Sequence, residues 1–238
     1  MEYGQNVKQM NPQGQMENCL QIICPSGDSQ TIFFGENKTS DWFSMVRKPV
    51  IAFRDFDKPT KLEIIVNFHG KYKMIYPKTK ITPNNDLIWK CQILPNNSVV
   101  IAQKSFPYLF WDGVSDVVRD IQFDQGFCVE KDKIISFLEK VCRQFGFDDH
   151  LRTDFVTFWS PFLMQNDFNL VKVLTDFECA KIASLEIKSN KKIDRFQIIR
   201  MYIAFKKVDK KIKIKRQALP KIQLSNFPKI FDWGGFEI

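Results

Sequence analysis

Alternating hydrophobic and polar positions dominate the first half of the chain and predict β-strands. The alternation is clearest in KLEIIVNF, where Leu62, Ile64 and Val66 fall on one face of a strand. A turn at HG predicts that this strand forms a hairpin with the next one, KYKMIYP, and a turn at PNN predicts a second hairpin. The strands predicted in this way are residues 19–24, 49–53, 61–68, 71–77, 87–94 and 98–104.

The hydrophobic period changes to that of a helix in the middle of the chain. In KDKIISFLEKVCRQFGF, apolar residues recur at intervals of three and four from Ile134 to Phe145, which places them on one helix face. Gly146 is a typical C-terminal stop. A second apolar stripe follows in DDHLRTDFVTFWSPF, where Asp148 and Asp149 can cap the helix and Pro161 is expected to end or kink it. The two stripes predict a helical hairpin.

Strand-like segments return in the last third of the chain. In KIKIK, the alternation predicts lysines pointing outward and isoleucines pointing to the core. Strands on both sides of a helical pair predict an α+β fold, specifically an antiparallel β-sandwich or curled sheet with an inserted helical hairpin. The strands predicted here are residues 169–174, 183–188, 195–205 and 211–215.

Three regions follow from this pattern. Residues 1–18 are expected to be a mobile polar tail, because they contain no sustained hydrophobic period. Residues 19–47 are expected to form an N-terminal extension that packs on the main domain or tethers from it. Residues 48–238 are expected to form a single α+β domain.

Positive charge is concentrated in one short segment. The chain has a net charge of +8, and KKVDKKIKIKR contains seven basic residues against one aspartate. This concentration favours protein partners with acidic surfaces. Only eight of the 35 basic residues are arginine, which disfavours a nucleic-acid partner because base and phosphate readout commonly uses arginine. The candidate binding residues are Lys206, Lys207, Lys210, Lys211, Lys213, Lys215 and Arg216.

Composition and cysteine spacing indicate a cytoplasmic protein with reduced thiols. No apolar run approaches the roughly 20 residues of a membrane helix, and the N-terminal residues lack the apolar stretch of a secretory signal. We therefore expect a cytoplasmic protein without a membrane partner. The six cysteines are dispersed without a C-x-x-C pair, so we expect reduced thiols, no metal site and no cofactor.

The segment YLFWDG, residues 108–113, has two interpretations. In a strand, Tyr108 and Phe110 share one face and Leu109 and Trp111 the other, so both faces are apolar. The favoured interpretation is a buried strand with a turn at its end. The alternative is a cleft in which Trp111 stacks on a ligand and Asp112 accepts a hydrogen bond from it.

Two further residues belong to the cleft hypothesis. Asp154 precedes the apolar stripe FVTFW and is a weak catalytic candidate together with Asp112. Trp233 lies in the terminal segment DWGGFEI. The favoured interpretation of this segment is a docked closing strand, and the alternative is that it forms part of a cleft. Asp232 could supply a second carboxylate beside Asp112 if the fold brought the two together.

Nine short motifs occur in order over residues 48–238 and together resemble an uncharacterised domain family of bacteria and single-celled eukaryotes. The resemblance implies the fold and the domain boundaries, and it implies no activity. AFRDF, residues 52–56, departs from the Tyr-Leu-Tyr-Pro-like run of that family, so a ligand role of that run does not carry over. The motifs are KPVI (48–51), GKYKMIYPK (70–78), Trp89, YLFWDG (108–113), GFCV (126–129), FLEKVCRQFGF (137–147), DFVTFWSP (154–161), RMYIAFK (200–206) and DWGGFEI (232–238).

Three functional hypotheses follow. The preferred one is a non-enzymatic interaction or structural module that docks in a larger acidic assembly, with a cytoskeletal or ciliary polymer such as the microtubule as one candidate. It is favoured because the chain has no G-x-S-x-G, H-E-x-x-H, P-loop or Rossmann motif. The alternative is an enzyme or binding domain for a polar, glycan-like substrate that uses Trp111, Asp112, Asp154 and Trp233. The third is nucleic-acid binding through the basic segment.

Overall fold

The computed structural model describes residues 45–189 and 195–238 in full, together with the backbone of three N-terminal strands. The chain divides into two compact units, residues 1–43 and residues 44–238. In the first unit, β1 (Tyr3–Met10), β2 (Met16–Ile23) and β3 (Ser29–Phe33) form an antiparallel sheet in the order β1-β2-β3.

The prediction of a strand at 19–24 is confirmed over residues 19–23, which belong to β2. The range expected to be a tail contains β1 and the start of β2, whereas its mobility stays a prediction. Residues 1–2, 11–15, 24–28 and 34–44 lie outside the described residues, and the packing of the 19–47 extension stays a prediction.

The second unit has an α+β fold of three layers: a pair of helices, a seven-stranded sheet and a five-stranded sheet. Most neighbouring strands are antiparallel, and the helical hairpin lies between strands along the chain, as the sequence predicts. Its elements are β4 (Met45–Arg54), β5 (Thr60–Phe68), β6 (Lys71–Tyr76), β7 (Asp86–Ile93), β8 (Val99–Ile101), β9 (Lys104–Phe106), β10 (Leu109–Val114), β11 (Phe127–Glu130), α1 (Ile134–Gln144), α2 (Asp149–Leu163), β12 (Phe168–Leu174), α3 (Asp176–Ile182), β13 (Ala183–Ser189), β14 (Gln197–Val208) and β15 (Lys229–Glu237).

The large sheet separates two hydrophobic cores. Its strand order is β11-β12-β14-β15-β4-β10-β6, and that of the smaller sheet is β13-β5-β7-β8-β9. The core between the sheets contains Trp89 and Trp111, whereas the core under α1 and α2 contains Trp159 and Trp233. The inner strands of the large sheet therefore bury side chains on both faces, as the apolar sequence of YLFWDG predicts, whereas the edge strand β6 is largely exposed.

The local signals for the helical hairpin are confirmed. The side chain of Asp148 accepts a hydrogen bond from the Leu151 amide at 2.8 Å and so caps α2. Gly146 has a φ of 72°, the left-handed conformation that commonly ends a helix. Pro161 lies inside α2, which ends two residues later at Leu163.

The predicted hairpin between residues 61–68 and 71–77 is wrong. β5 pairs with β13 and β7 in the small sheet, whereas β6 pairs with β10 at the edge of the large sheet. The chain crosses between the sheets at Gly70, where a Cβ atom would lie 2.3 Å from the Val114 carbonyl oxygen. Alternation identifies the buried face of each strand but carries no information about its partner.

Two further features differ from the expectation. α3 was not predicted, although Thr175 and Glu178 form a capping box at its start. DWGGFEI belongs to β15 and is confirmed as a docked closing strand. β15 runs parallel to β14, whereas the sequence predicts antiparallel neighbours. Gly235 permits this packing, because its Cβ would lie 2.5 Å from the Ile203 carbonyl oxygen.

Candidate functional site

Only the first three residues of the basic segment belong to a strand, β14, and the strand predicted at 211–215 is wrong. Residues 211–215 run in an extended conformation beside β11, the edge strand of the large sheet. The Gly126 amide donates to the Lys215 carbonyl at 2.9 Å, and the Gln217 amide donates to the Gly126 carbonyl at 3.2 Å. Continuous pairing stops there because the Ile212 amide bonds instead to the Cys128 sulfur at 3.3 Å. The segment thus covers an open sheet edge without completing a strand.

The side chains of this segment divide by exposure. Ile212 is 40% exposed, which contradicts its predicted core orientation, and Ile214 is half-buried over Gly126. Lys206 is half-buried at the end of β14, with its Nζ 4.8 Å from the centre of the Phe123 ring. The remaining candidate cations are exposed: Lys207, Lys210, Lys211, Lys213, Lys215 and Arg216.

Lys133, which immediately precedes α1, and Lys140, within α1, add positive charge to the same face. Lys211 pairs with Glu130 at 2.6 Å, and Lys133 pairs with the other oxygen of that carboxylate at 3.1 Å. Hydrogen bonds from Lys211 and Lys133 lower the pKa of Glu130, which keeps it ionised. Lys133 and Lys140 are not among the binding residues predicted from sequence, because they precede the basic segment by more than 60 residues.

Two shallow cavities flank an aromatic pair beside these cations. The rings of Phe127 and Phe137 lie 5.1 Å apart, and both rings line cavities of about 300 and 430 Å³. Lys140 lines both cavities, Arg216 the smaller and Lys211 the larger. We name the face formed by residues 206–216, Phe127, Phe137, Lys133 and Lys140 the basic face.

The structure places Trp111 in the core between the sheets, which confirms the buried strand predicted for YLFWDG. The turn predicted at its end is wrong, because β10 continues through Asp112 and Gly113 to Val114 with only a bulge in its pairing to β6. Trp111 is 1% exposed, and its ring lies 4.6 Å from that of Phe68. Trp233 is fully buried in the other core, where it contacts Phe155. The two tryptophans therefore lie on opposite faces of the large sheet and share no cleft.

Asp112 and Asp154 are also separated. Asp112 lies near Arg47, whose guanidinium stacks over Phe162 at 5.7 Å. Phe162 is eight residues beyond Asp154 on α2, which corresponds to about 12 Å along the helix axis. Burial raises the pKa of Asp112, and the Met74 amide and Arg47 offset only part of this effect. The two carboxylates are not arranged as an acid–base pair.

Asp232 belongs to a buried network that the sequence did not reveal. Its carboxylate accepts from Arg200 Nε at 2.8 Å and from the Tyr202 hydroxyl at 3.1 Å, and Arg200 also donates to the Ala183 carbonyl at 2.7 Å. Burial raises the pKa of Asp232 and is only partly offset by Arg200 and Tyr202. Burial also acts to lower the pKa of Arg200, but Asp232 raises it above the ordinary value. This network is a structural ion pair rather than an open site.

Asp154 lies in a polar groove of about 440 Å³ at the N-terminal end of α2. Arg54, Tyr108 and His150 line the same groove. His69 does not line this groove. It lies where the chain starts to cross between the sheets, with its Nδ1 atom 2.7 Å from the Lys181 carbonyl oxygen. Of the four residues proposed for a glycan-like substrate, the groove thus includes Asp154 alone.

Lys48 occupies an aromatic cage behind this groove. Lys48 has a φ of 54° in a bulge of β4, where the pairing with both β10 and β15 shifts by one residue. Its ammonium donates to the Tyr108 hydroxyl at 3.2 Å. The ammonium also lies 5.1–5.9 Å from four ring centres, those of Tyr108, Phe110, Phe158 and Trp233.

The thiols give a prediction about reactivity. Burial raises the pKa of Cys91 and of Cys142 to about 12, so about one thiol in ten thousand is ionised at pH 8. Burial also raises the pKa of Cys179. Cys128 is half-buried and, like the other three, is a free cysteine. We expect iodoacetamide to alkylate Cys128 at least tenfold faster than the other three, as measured by mass spectrometry of the folded protein.

A matched variant checks this prediction. In a Cys19→Ser, Cys24→Ser background, which removes the two cysteines whose side chains are not described, Cys128→Ser should abolish the fast alkylation. Rapid alkylation of Cys142 in that variant would contradict its burial on the core-facing side of α1.

Neither a metal site nor a membrane span is found in the part of the chain that the structure describes. No group of three or more histidine, cysteine, aspartate or glutamate side chains is placed to hold a metal ion there. None of the described helices combines the length and hydropathy that a membrane span requires.

Comparison with known proteins assigns no relative: no family model, curated protein or solved structure matches the chain significantly. Function must therefore be argued from the basic face and the groove themselves.

Proposed function

We propose that the chain is a non-enzymatic module that docks on an acidic protein surface in a larger assembly. The observation that carries the proposal is the basic face, where a lysine-rich segment is fixed by backbone hydrogen bonds while most of its cations remain in solvent. A segment held in this way presents its charges in a defined row, so less conformational entropy is lost when a partner binds.

The charges of the basic face are largely available to a partner. Lys210, Lys213 and Lys215 are exposed and form no ion pair with any residue that the structure describes. Glu130 is shared between Lys211 and Lys133 and so neutralises only part of the local charge. Electrostatic attraction of this kind accelerates association and aligns an acidic partner, and it weakens as salt increases.

The cavities beside Phe127 and Phe137 favour a protein partner over a nucleic acid. They offer apolar surface next to Lys140, which suits an acidic segment that also carries apolar side chains. The lysine-rich face has a single arginine, Arg216, for bidentate phosphate contacts. We propose a cytoskeletal or ciliary polymer, with the acidic surface of the microtubule as the first candidate, and a cytoplasmic location.

A charge-removal variant tests the proposal. Lys210→Gln, Lys213→Gln and Lys215→Gln together should weaken co-sedimentation with microtubules by about tenfold, because three exposed ion pairs contribute about 1–3 kcal/mol. The salt dependence of the remaining binding should become flatter, since fewer charge contacts are screened. The melting temperature should stay close to that of the wild type.

The control removes equal charge elsewhere. Lys71→Gln, Lys78→Gln and Lys80→Gln change exposed lysines in and after β6, at the opposite edge of the large sheet. This control should bind like the wild type. Unaltered affinity and salt slope in the first variant would reject docking through the basic face. Binding to polyglutamate but not to microtubules would support docking on acidic surfaces and would reject the microtubule as the partner.

A further inference from the structure

The groove containing Asp154 is built from four separate parts of the fold. They are β4, the start of α2, the β7–β8 turn, and β9 with the two residues that follow it. At about 440 Å³, the groove is large enough for a small ligand. We call its apolar lining the floor, which includes Ala52, Tyr108 and Leu151, and its polar lining the rim, which includes Arg54, Asn97 and Asp154.

Two planar polar groups of the rim are held in place by the protein itself. Arg54 donates to Asp148 and, at 2.8 Å, to the Phe53 carbonyl, which leaves its second terminal nitrogen for a ligand. Asn97 has a φ of 67°, and its side-chain oxygen accepts from the Asp55 amide at 3.2 Å, which leaves the amide nitrogen as a donor. Donors fixed before binding lose little entropy when a ligand arrives.

The aromatic part of the floor is fixed in the same way. Tyr108 lies between the groove and Lys48, whose ammonium contacts both its ring and its hydroxyl. The phenol oxygen therefore accepts from Lys48 and keeps its own proton free to donate. The strained conformation of Lys48 at the bulge is what brings the ammonium to this position.

Asp154 supplies the acceptor that these donors lack. Its half-buried carboxylate has no hydrogen-bond or ion-pair partner among the described residues, although it lies in the groove. Asp148 pairs with Arg54, so Asp154 is the carboxylate of the groove that has no cation bound to it among the described residues. This charge disfavours phosphates and other anions.

We propose that the groove binds a neutral saccharide. A sugar ring presents C–H groups that pack on the apolar floor and hydroxyl groups that both donate and accept. The hydroxyls match the fixed donors of Arg54, Asn97 and Tyr108 and the open acceptor of Asp154. The site shares no residue with the basic face and excludes Trp111, Asp112 and Trp233, so the proposal is independent of docking.

Saturation-transfer NMR of the full chain tests the proposal with four named probes: maltose, cellobiose, lactose and diacetylchitobiose. Each is used at about 10 mM and pH 8, where binding with a millimolar Kd is nearly saturated. We expect saturation transfer to at least one probe, with the C–H protons of one ring face affected most. No transfer to any of the four would overturn the proposal.

Two variants and a control locate the binding. Asp154→Ala removes the open acceptor, and Asn97→Gly removes the fixed donor while keeping a residue that tolerates positive φ. Each should weaken binding about tenfold, the equivalent of one good hydrogen bond. Asp149→Ala removes an exposed carboxylate from the same helix but outside the groove, and it should bind like the wild type. Equal affinities in all four proteins would place the sugar elsewhere and reject the site.

Charged sugars test the electrostatic argument separately. At pH 8, 6-amino-6-deoxyglucose, whose primary amine is largely protonated, should bind at least as tightly as glucose, and glucuronate more weakly, because of the unpaired Asp154. A preference for glucuronate would show an anion site and would overturn the proposed ligand class.

Discussion

Arg200→Ala is expected to destabilise the protein by about 3–5 kcal/mol, because it leaves the carboxylate of Asp232 buried without its cation. Asp232 is 2% exposed, so water cannot replace the missing partner. The Ala183 carbonyl loses its donor at the same time. Urea unfolding followed by tryptophan fluorescence measures the change in the free energy of unfolding.

A matched triple variant separates loss of the ion pair from loss of packing. Arg200→Met, Asp232→Leu and Tyr202→Phe together replace the three charged or polar side chains by apolar ones of similar size. This variant should recover most of the stability lost in Arg200→Ala, because no unpaired carboxylate remains. If Arg200→Ala unfolds at the same urea concentration as the wild type, the network has no structural role.

Trp111→Ala is expected to destabilise the protein by about 3–5 kcal/mol through the cavity that it leaves between the sheets. The Trp111 ring contacts Phe68 and Tyr72, with ring centres 4.6 and 5.7 Å away, so the cavity would open inside an aromatic cluster. The change is measured by the same urea unfolding and by thermal unfolding.

Met74→Ala provides the control on the neighbouring strand. Met74 is 53% exposed, and its replacement should change stability by no more than about 0.5 kcal/mol. An unchanged melting temperature in Trp111→Ala, accompanied by loss of ligand binding, would restore the cleft interpretation of YLFWDG.

Much of the local structure could be predicted because its signals lie within a few residues. The alternation in KLEIIVNF identifies the buried face of β5, and the period from Ile134 to Phe145 identifies that of α1. Asp148 and Gly146 mark the helix ends through their own backbone and side-chain chemistry. The exposed lysines of residues 206–216 also follow from sequence, because uninterrupted charge stays in water.

The candidate sites were less predictable because they combine distant segments. Asn97, Tyr108 and Asp154 meet in the groove only after the β7–β8 turn and α2 reach the same end of the large sheet. Lys48 reaches Tyr108 because a bulge changes the direction of its side chain in β4. The local signal for this bulge is Pro49, since proline inside a sheet occurs mainly at edges and bulges, but it does not show where the Lys48 side chain goes.

By itself, the sequence determined most strands and the helical hairpin of the main unit, the two apolar faces of YLFWDG and the row of exposed cations, whereas it did not identify β11 or α3. Tertiary structure alone decided that β5 and β6 belong to different sheets and that Trp111 and Trp233 lie in different cores. It also decided that Arg200 meets Asp232, because the parallel register of β14 and β15 sets them side by side. The physical reason is that hydrophobic periodicity specifies which face is buried, whereas strand pairing and register depend on packing across the whole fold.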